Sequence, residues 1–143
     1  MVKIVNKSGN RLPEYATDFS AGMDLRAYLE KEIVMKPLER VLVPTGLYIE
    51  LPAGYEAQIR PRSGLALQKG ITVLNTPGTV DSDYRGEIKV LLINLSDKEV
   101  IINNGDRIAQ MIISKVEKVE WIETESLNPS CRNEGGFGHT GIG

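Results

Sequence analysis

"GLYIELPAGYEAQI", residues 46–59, contains two short runs in which apolar and polar side chains alternate. Leu47 and Ile49 share one face of the first run, and Ala57 and Ile59 share one face of the second. A Pro-Ala-Gly sequence, of the kind that interrupts regular structure, separates the two runs. A period of two is typical of β-strands with one buried face, so this stretch predicts a β-sheet protein.

The same signal recurs along the rest of the chain. Further β-rich runs are VKIV, EIKVLLIN, EVII and RIAQMIIS, and turn-forming sequences such as NTPG and NNGD separate them. One segment differs: "RSGLALQKG", residues 62–70, predicts a short helix with Ser63 as its N-cap and Gly70 at its C-terminal end. We therefore predict an all-β domain, of the sandwich or barrel type, with one short helix near its middle.

Composition restricts the class of protein. The 143 residues suit one compact domain, and 41% hydrophobic and 25% charged residues are ordinary values for a globular protein. A net charge of −2 gives no general attraction to nucleic acid. No apolar run approaches a membrane span, and the N-terminus does not resemble a signal peptide. These features predict a cytoplasmic protein, or an organellar one after processing, with no nucleic-acid or membrane partner.

The chain has one cysteine, Cys131, and one histidine, His139. A single cysteine cannot form an intrachain disulfide and fits a reducing compartment. One Cys and one His do not supply the usual ligand set of a zinc site. If a metal acts here, we expect a hard, oxygen-seeking ion such as Mg²⁺, carried by a substrate.

The C-terminal stretch "CRNEGGFGHTGIG", residues 131–143, is rich in glycine. Such a segment cannot bury enough apolar surface to hold one conformation, and a loose tail is the simplest interpretation. Arg132, Phe137 and Thr140 nevertheless offer a charge, an aromatic face and a hydroxyl among flexible backbone amides. That set could close over an anion attached to a ring.

Three further motifs carry polar residues in unexpected places. In "PRSGLAL", residues 61–67, Arg62 and Ser63 stand where a helix should begin and could bind an anion, or Ser63 could simply cap the helix. In "AGMDLRA", Asp24 interrupts an apolar strand pattern and could pair with Arg26 or another base, or hold a hydrated metal ion. In "GDRIAQM", Gln110 must find a hydrogen-bond partner if it is buried.

"NTPGTVDSDYRG", residues 75–86, lies between two strand signals and predicts a long hairpin. Asn75 and the turn backbone can present donors and acceptors to a flat heterocycle, and Tyr84 can pack under a sugar. Asp81 or Asp83 could act as a general base. The alternative is an Asp-rich turn with a packing tyrosine.

Taken together, the five motifs AGMDLRA, PRSGLAL, NTPGTVDSDYRGE, GDRIAQM and RNEGGFGHTG closely resemble, in this order, those of the trimeric deoxyuridine triphosphatase (dUTPase) family. The resemblance covers almost the whole chain. It implies a jelly-roll-like β-barrel at residues 1–131 and a C-terminal arm at residues 132–143 that closes over a neighbouring subunit's site. It also implies a homotrimer in which three chains contribute to each site.

The reaction implied by the resemblance is hydrolysis of dUTP to dUMP and pyrophosphate, assisted by Mg²⁺ held mainly by the substrate phosphates. In the cell this reaction would limit uracil in DNA and supply dUMP for thymidylate synthesis. Asp81 resembles the base that activates the water attacking the α-phosphate. Asp24 would contact the metal through water.

The resemblance also implies a set of substrate-binding residues. Asn75 would read uracil, and Tyr84 would pack against the deoxyribose and exclude a 2′-hydroxyl. The phosphates would be held by Arg62, Ser63, Gly64 and Gln110. The arm would supply Arg132 and Thr140 for the distal phosphates, Phe137 to stack over uracil, and the neighbouring Gly138 and His139.

The arm departs from the family pattern at His139, where many members have serine, and at Asn133 and Glu134. His139 can still donate to a phosphate, so we interpret it as a variant that keeps the function. Two alternatives stay open at the level of the sequence. One is a dCTP deaminase, or a bifunctional deaminase and dUTPase of the same superfamily, although such proteins are longer. The other is a non-catalytic jelly-roll binding module.

Overall fold

The structure, a computed structural model, describes residues 1–136 and 139. Within them the chain forms ten strands and one short helix, in the order β1 (Lys3–Asn6), β2 (Met23–Arg26), β3 (Ile33–Met35), β4 (Arg40–Glu50), β5 (Tyr55–Arg60), α1 (Ser63–Lys69), β6 (Ile71–Val73), β7 (Gly78–Val80), β8 (Ile88–Asn94), β9 (Val100–Ile102) and β10 (Arg107–Lys115). The predicted all-β class with one short central helix is confirmed. No helix in the described residues is long and apolar enough to cross a membrane.

The strands form three antiparallel sheets. One four-stranded sheet has the order β1-β4-β8-β6, a second has the order β2-β10-β5-β7, and β3 pairs with β9 in a two-stranded sheet. The two alternating runs of residues 46–59 therefore lie in different sheets, because the first ends β4 and the second is β5. Leu47 and Ile49 from one run, and Ala57 and Ile59 from the other, are buried as the period of two predicts.

The core lies between the sheets and is almost entirely aliphatic. The largest side chains that are fully buried are Leu25, Met35, Ile71, Ile88, Leu92, Ile102 and Ile108. They come from six different strands in all three sheets, so the core holds the sheets together rather than stabilising any one of them. Asn94 and Thr45 are the buried polar residues among those described. Thr45 donates its hydroxyl to the carbonyl of Ile88, and this bond joins β4 to the start of β8.

Helix α1 begins one residue earlier than the sequence predicts. Ser63 is its first helical residue, and the N-cap position belongs to Arg62, whose backbone is extended and whose side chain makes no capping hydrogen bond. The expectation that Ser63 caps the helix is therefore wrong, because the Arg62 carbonyl already accepts the first intrahelical bond from Ala66. Gly70 ends the helix as predicted, with the left-handed φ of 64° that favours glycine.

The predicted hairpin at residues 75–86 is present only in part. The flanking strands β6 and β8 do pair antiparallel. Between them, however, β7 pairs with β5 in the other sheet. Val80, a β7 residue, is buried in the core. The loop is therefore a crossover between the two sheets that contains a strand of its own.

Candidate functional site

Three of the sequence motifs lie next to one another across the neighbouring strands β2, β10 and β5. Asp24 of β2 lies directly opposite Gln110 of β10, and Gln110 lies directly opposite Arg60 of β5. Two residues beyond Arg60, the chain reaches Arg62 and the start of α1. The pairing register alone thus places motifs that are far apart in sequence in one row.

These residues line a cleft of about 380 Å³, within the size range of small-ligand pockets. We call it the Asp24 cleft. Its lining comprises Glu14, Ala16, Ser20, Ala21, Gly22, Asp24, Arg62, Ser63, Gly64, Arg107 and Gln110. Five predicted site residues, Asp24, Arg62, Ser63, Gly64 and Gln110, are therefore brought together.

Asp24 is at the centre of the charges in this cleft. Its Oδ1 atom accepts a hydrogen bond of 2.7 Å from Nε of Arg62, and its Oδ2 atom lies 3.2 Å from a terminal guanidinium nitrogen of Arg107. Arg26, the partner first suggested by its position, instead donates to the carbonyl of Gly105. The structural alternative for Asp24, pairing with a base, is therefore present, but with two different arginines.

Gln110 has the partner that its position in an apolar run requires. Its Nε2 atom donates to the carbonyl of Pro61 at 2.9 Å. Its Oε1 atom occupies the space beside Gly22, where an added Cβ would lie only 2.5 Å away. Gly22 therefore leaves room for the Gln110 amide, which explains a glycine in the AGMDLRA motif without any unusual backbone angle.

Arg107 and Gly22 are site residues that sequence reasoning did not assign. Arg107 and Gln110 are three residues apart, so a regular strand would point them to opposite faces. A register shift between Arg107 and Ala109 adds a residue to β10 and brings both side chains to the cleft. Two consecutive buried residues, Ile108 and Ala109, mark this irregularity, but the sequence alone does not distinguish them from an ordinary apolar run.

A second group of predicted residues lies in the turn that leads from β7 to β8. We call residues 81–87 the Asp81 turn. The amide of Tyr84 donates to the carbonyl of Asp81 at 3.1 Å, which closes the turn. The Tyr84 hydroxyl donates to the carbonyl of Glu87 at 3.0 Å, and the Arg85 guanidinium donates to the carbonyls of Ser82 and Tyr84. Asp81 and Asp83 are exposed, and their carboxylates are available to a ligand.

Asn75 lies near the other end of the same loop. Its side chain packs over Gly78, where a Cβ would stand 3.3 Å from the amide nitrogen of Asn75. The residue itself is exposed. None of Asn75, Asp81 or Tyr84 belongs to the lining of the Asp24 cleft. Of the predicted site residues outside the C-terminal arm, five therefore line the Asp24 cleft, and these three do not.

The C-terminal segment is irregular from residue 116 onward and exposed along almost its whole described length. It is attached where the amide of Val116 donates to the carbonyl of Gly54. Arg132 donates to the carbonyl of Gly135 and so closes a local turn. Phe137, Gly138 and Thr140 lie outside the described residues, and His139 donates its amide to Gly136. No arm residue lines the Asp24 cleft among those described.

Several large apolar side chains of this segment are exposed to solvent. Val119, Trp121, Ile122 and Leu127 are between 69% and 92% exposed. A tryptophan and three aliphatic residues exposed within nine residues of sequence are more than the scattered exposed residues of an ordinary surface. The segment therefore carries large apolar side chains that the described part of the chain does not bury.

Comparison with known proteins places the chain in a family. The dUTPase family model matches residues 9–141, and the chain belongs to that family. It is 61% identical to the deoxyuridine 5'-triphosphate nucleotidohydrolase of Finegoldia magna, over 98% of both chains. It is 64% identical to the corresponding protein of a Hydrogenobaculum species, over 92% of this chain and 90% of that one.

Solved structures confirm the type of fold. A mutant dUTPase of Staphylococcus bacteriophage 80alpha, with dUpNHpp, superimposes with a TM-score of 0.86 over 99% of both chains, at 22% identity. A mutant dUTPase of phage phi11 of S. aureus, described with a structural Mg(II) ion, gives a TM-score of 0.80 over 90% of this chain. The likeness supports the jelly-roll type. Closure of the sheets into a barrel stays a prediction.

Proposed function

We propose that this protein hydrolyses dUTP to dUMP and pyrophosphate, at sites that different chains of a homotrimer complete together. The observation that carries the proposal is the Asp24 cleft, where three of the five family motifs converge on one set of charged and polar side chains. Family membership gives the substrate, and the geometry supports the roles of individual residues.

The Asp24 cleft is suited to phosphates. Arg62 and Arg107 supply two positive charges, and Ser63, Gly64 and Gln110 add a hydroxyl, backbone amides and a side-chain amide. Without a ligand, both arginines share the single carboxylate of Asp24. Phosphate oxygens would give the guanidinium groups additional charge-assisted partners, so we expect the triphosphate to bind here.

The same cleft fits a magnesium ion that arrives with the substrate. Its carboxylates, Asp24 and Glu14, are hard oxygen donors of the kind Mg²⁺ prefers, and two arginines next to Asp24 disfavour a metal bound without phosphate. Asp24 would hold the ion through its water shell. When bound, the ion would neutralise charge on the phosphates during transfer.

The chemical step is assigned to Asp81. As the water oxygen attacks the α-phosphorus, the Asp81 carboxylate accepts its proton, the bond to the bridging oxygen breaks, and pyrophosphate leaves. The carboxylate is exposed at the start of a closed turn, so it can approach a ligand bound to another surface. Tyr84, three residues further on, would pack against the deoxyribose, and Asn75 would read the uracil edge.

The absence of Asn75, Asp81 and Tyr84 from the lining of the Asp24 cleft supports sites shared between chains. Phosphate transfer requires the base within hydrogen-bond reach of the attacking water, yet Asp81 is not part of the Asp24 cleft of its own chain. A second chain would bring its Asp81 turn to that cleft. We expect the arm of a third chain, with Arg132, Phe137, Gly138, His139 and Thr140, to close over the bound nucleotide. The uncovered apolar side chains near Trp121 suit a segment that packs on another subunit.

A substrate panel tests the proposal. The purified protein is incubated with dUTP, UTP, dTTP and dCTP in the presence of Mg²⁺, and pyrophosphate and ammonia are measured separately. We expect pyrophosphate from dUTP, far less from the other three nucleotides, and no ammonia. Ammonia from dCTP would establish the deaminase alternative, and no turnover of any nucleotide would establish the binding module.

A further inference from the structure

The ring of Tyr84 lies directly across the backbone of Gly86. A Cβ built at residue 86 would stand 2.8 Å from Cε2 of the ring and closer still to Cζ and the hydroxyl oxygen. Real Cβ atoms essentially never approach another heavy atom within 3.0 Å. With the ring in this position, residue 86 therefore has no room for any side chain.

The backbone at residue 86 does not itself require glycine. Among the described residues, the glycines with left-handed φ angles are Gly9, Gly46, Gly54, Gly70 and Gly105. Gly86 is outside this group, so an L-residue could adopt its backbone conformation. The three atoms nearest to a Cβ at residue 86 all belong to the Tyr84 side chain, so the tyrosine is the first obstacle to a side chain there.

Hydrogen bonds hold Tyr84 at its backbone and at its hydroxyl group. The Tyr84 amide is bound to the Asp81 carbonyl, and the Tyr84 hydroxyl is bound to the Glu87 carbonyl. Glu87 is anchored in turn, because its Oε1 atom accepts a hydrogen bond from the Gly46 amide of β4 at 2.9 Å. Tyr84 is nevertheless 46% exposed, so part of its side chain is open to a ligand.

We infer that Gly86 is a positioning residue, which sets the orientation of Tyr84 and through it the discrimination between deoxyribose and ribose. The second half of this inference rests on the proposed role of Tyr84 in dUTP hydrolysis. A side chain at residue 86 displaces the ring instead of the backbone, because the ring can rotate about two side-chain torsions. The displaced ring loses the hydrogen bond to Glu87 and the orientation in which it meets the sugar.

The kinetic test uses Gly86→Ala, Tyr84→Ala and the double variant. We expect Gly86→Ala to lower kcat/KM for dUTP by roughly ten- to a hundredfold, the scale of a misplaced contact group, and to raise activity on UTP relative to dUTP. If Gly86 acts through Tyr84, the double variant behaves like Tyr84→Ala alone. Additive effects of the two substitutions on the UTP/dUTP ratio would overturn the inference.

The matched control is Gly9→Ala. Gly9 has a left-handed φ of 72°, and a Cβ there meets no atom within 4 Å. This variant tests a strained backbone without a displaced ring, and we expect an unchanged UTP/dUTP ratio. If Gly86→Ala fails to fold, the double variant with Tyr84→Ala should fold, since the obstructing ring is gone. Failure of both would show that Gly86 is needed for another reason and would refute the inference.

A spectroscopic readout separates ring position from activity. The protein contains five tyrosines, and labelling with 3-fluorotyrosine gives each a ¹⁹F NMR signal. Tyr84→Phe identifies the Tyr84 signal by its loss. Gly86→Ala should shift that signal and leave the other four in place, and an unshifted signal would refute the inference even if activity changed. A shift without any change of the UTP/dUTP ratio in Gly86→Ala or Tyr84→Ala would support positioning and refute the sugar-gating role.

Discussion

Arg62 and Asp24 form a 2.7 Å hydrogen-bonded ion pair across 38 positions of sequence. Both side chains are partly exposed, at 26% and 32%, so the pair contributes little to the stability of the fold. Its importance lies in the cleft, where each partner has a second role in the proposed mechanism. In that mechanism Asp24 would hold the arginine until phosphate binds, and the arginine would occupy Asp24 until the metal ion binds.

Asp24→Asn should therefore separate nucleotide binding from magnesium dependence. Without the carboxylate, the arginines lose their competing partner, so we expect dUTP to bind without Mg²⁺ at least as tightly as in the unsubstituted protein. The additional affinity and turnover that Mg²⁺ provides should largely disappear. Isothermal titration with and without Mg²⁺ measures the first effect, and initial rates against Mg²⁺ concentration measure the second. An unchanged response to Mg²⁺ would contradict the assignment.

Asp81→Asn should abolish turnover while dUTP still binds. A general base usually contributes about 10²–10⁴-fold to the rate, and the amide cannot accept the proton. Single-turnover rates and equilibrium binding are measured on the same preparation. Asp83→Asn is the matched control, since Asp83 is an exposed carboxylate in the same turn. A loss confined to Asp83→Asn would transfer the role of base to that residue.

Tyr84→Ala should relax the selection of the sugar. Removal of the ring opens the space that a 2′-hydroxyl would need, so kcat/KM for UTP should rise relative to that for dUTP. Tyr84→Phe keeps the ring and removes only the hydroxyl bonded to Glu87, so we expect it to retain most of the discrimination. Equal UTP/dUTP ratios in the alanine variant and the unsubstituted protein would place the sugar selection elsewhere.

Mixed trimers should recover activity that neither parent has. One parent carries Asp81→Asn, and the other ends before Arg132, so every site lacks either its base or its arm. After the two are unfolded, mixed equally and refolded, each mixed trimer gains one working site in three if base and arm come from different chains. Random assembly makes about three-quarters of the trimers mixed, so about a quarter of all sites should work.

The control for this experiment is each parent refolded alone, with trimer content measured by light scattering. If base and arm belonged to the same chain, no mixture could restore a complete site. Recovery near zero from well-formed mixed trimers would thus refute sharing between chains, while dUTP hydrolysis by the unsubstituted protein would be unaffected.

Much of the fold was predictable because local patterns determine it. Alternation in residues 46–59 identified β4 and β5, and a glycine after a run of helix formers identified the end of α1. The sheet to which each strand belongs was not predictable, because alternation shows which face of a strand is buried but not which strand pairs with it. The crossover of β7 and the register shift after Arg107 both depend on tertiary packing, and no local signal encodes them.

In the candidate site, too, some residues could be identified from the sequence and others could not. Asp24 and Gln110 stand out in sequence because polar residues in apolar strands need partners, and the structure supplies those partners. Arg107 did not stand out, because an arginine after a turn is ordinary unless the strand is irregular. Gly22 and Gly86 were recognisable as motif positions, but their role depends on side chains of Gln110 and Tyr84 that only the folded chain brings next to them.

The buried amide of Asn94 has a consequence for how β8 is aligned. Its Nδ2 atom donates to the carbonyls of Met35 and Lys98, and its Oδ1 atom accepts from the amide and hydroxyl of Ser96. Every hydrogen-bonding position of the amide group is used, and the bond to Met35 is the one of the four that reaches another strand, β3. A shift of β8 by one residue would break this bond and leave a buried N–H without its partner. Such a shift would also carry the Asp81 turn along with the strand and reverse its faces. Asn94 at one end of β8 thus favours the observed register of the strand, and with it the observed position of the Asp81 turn at the opposite end.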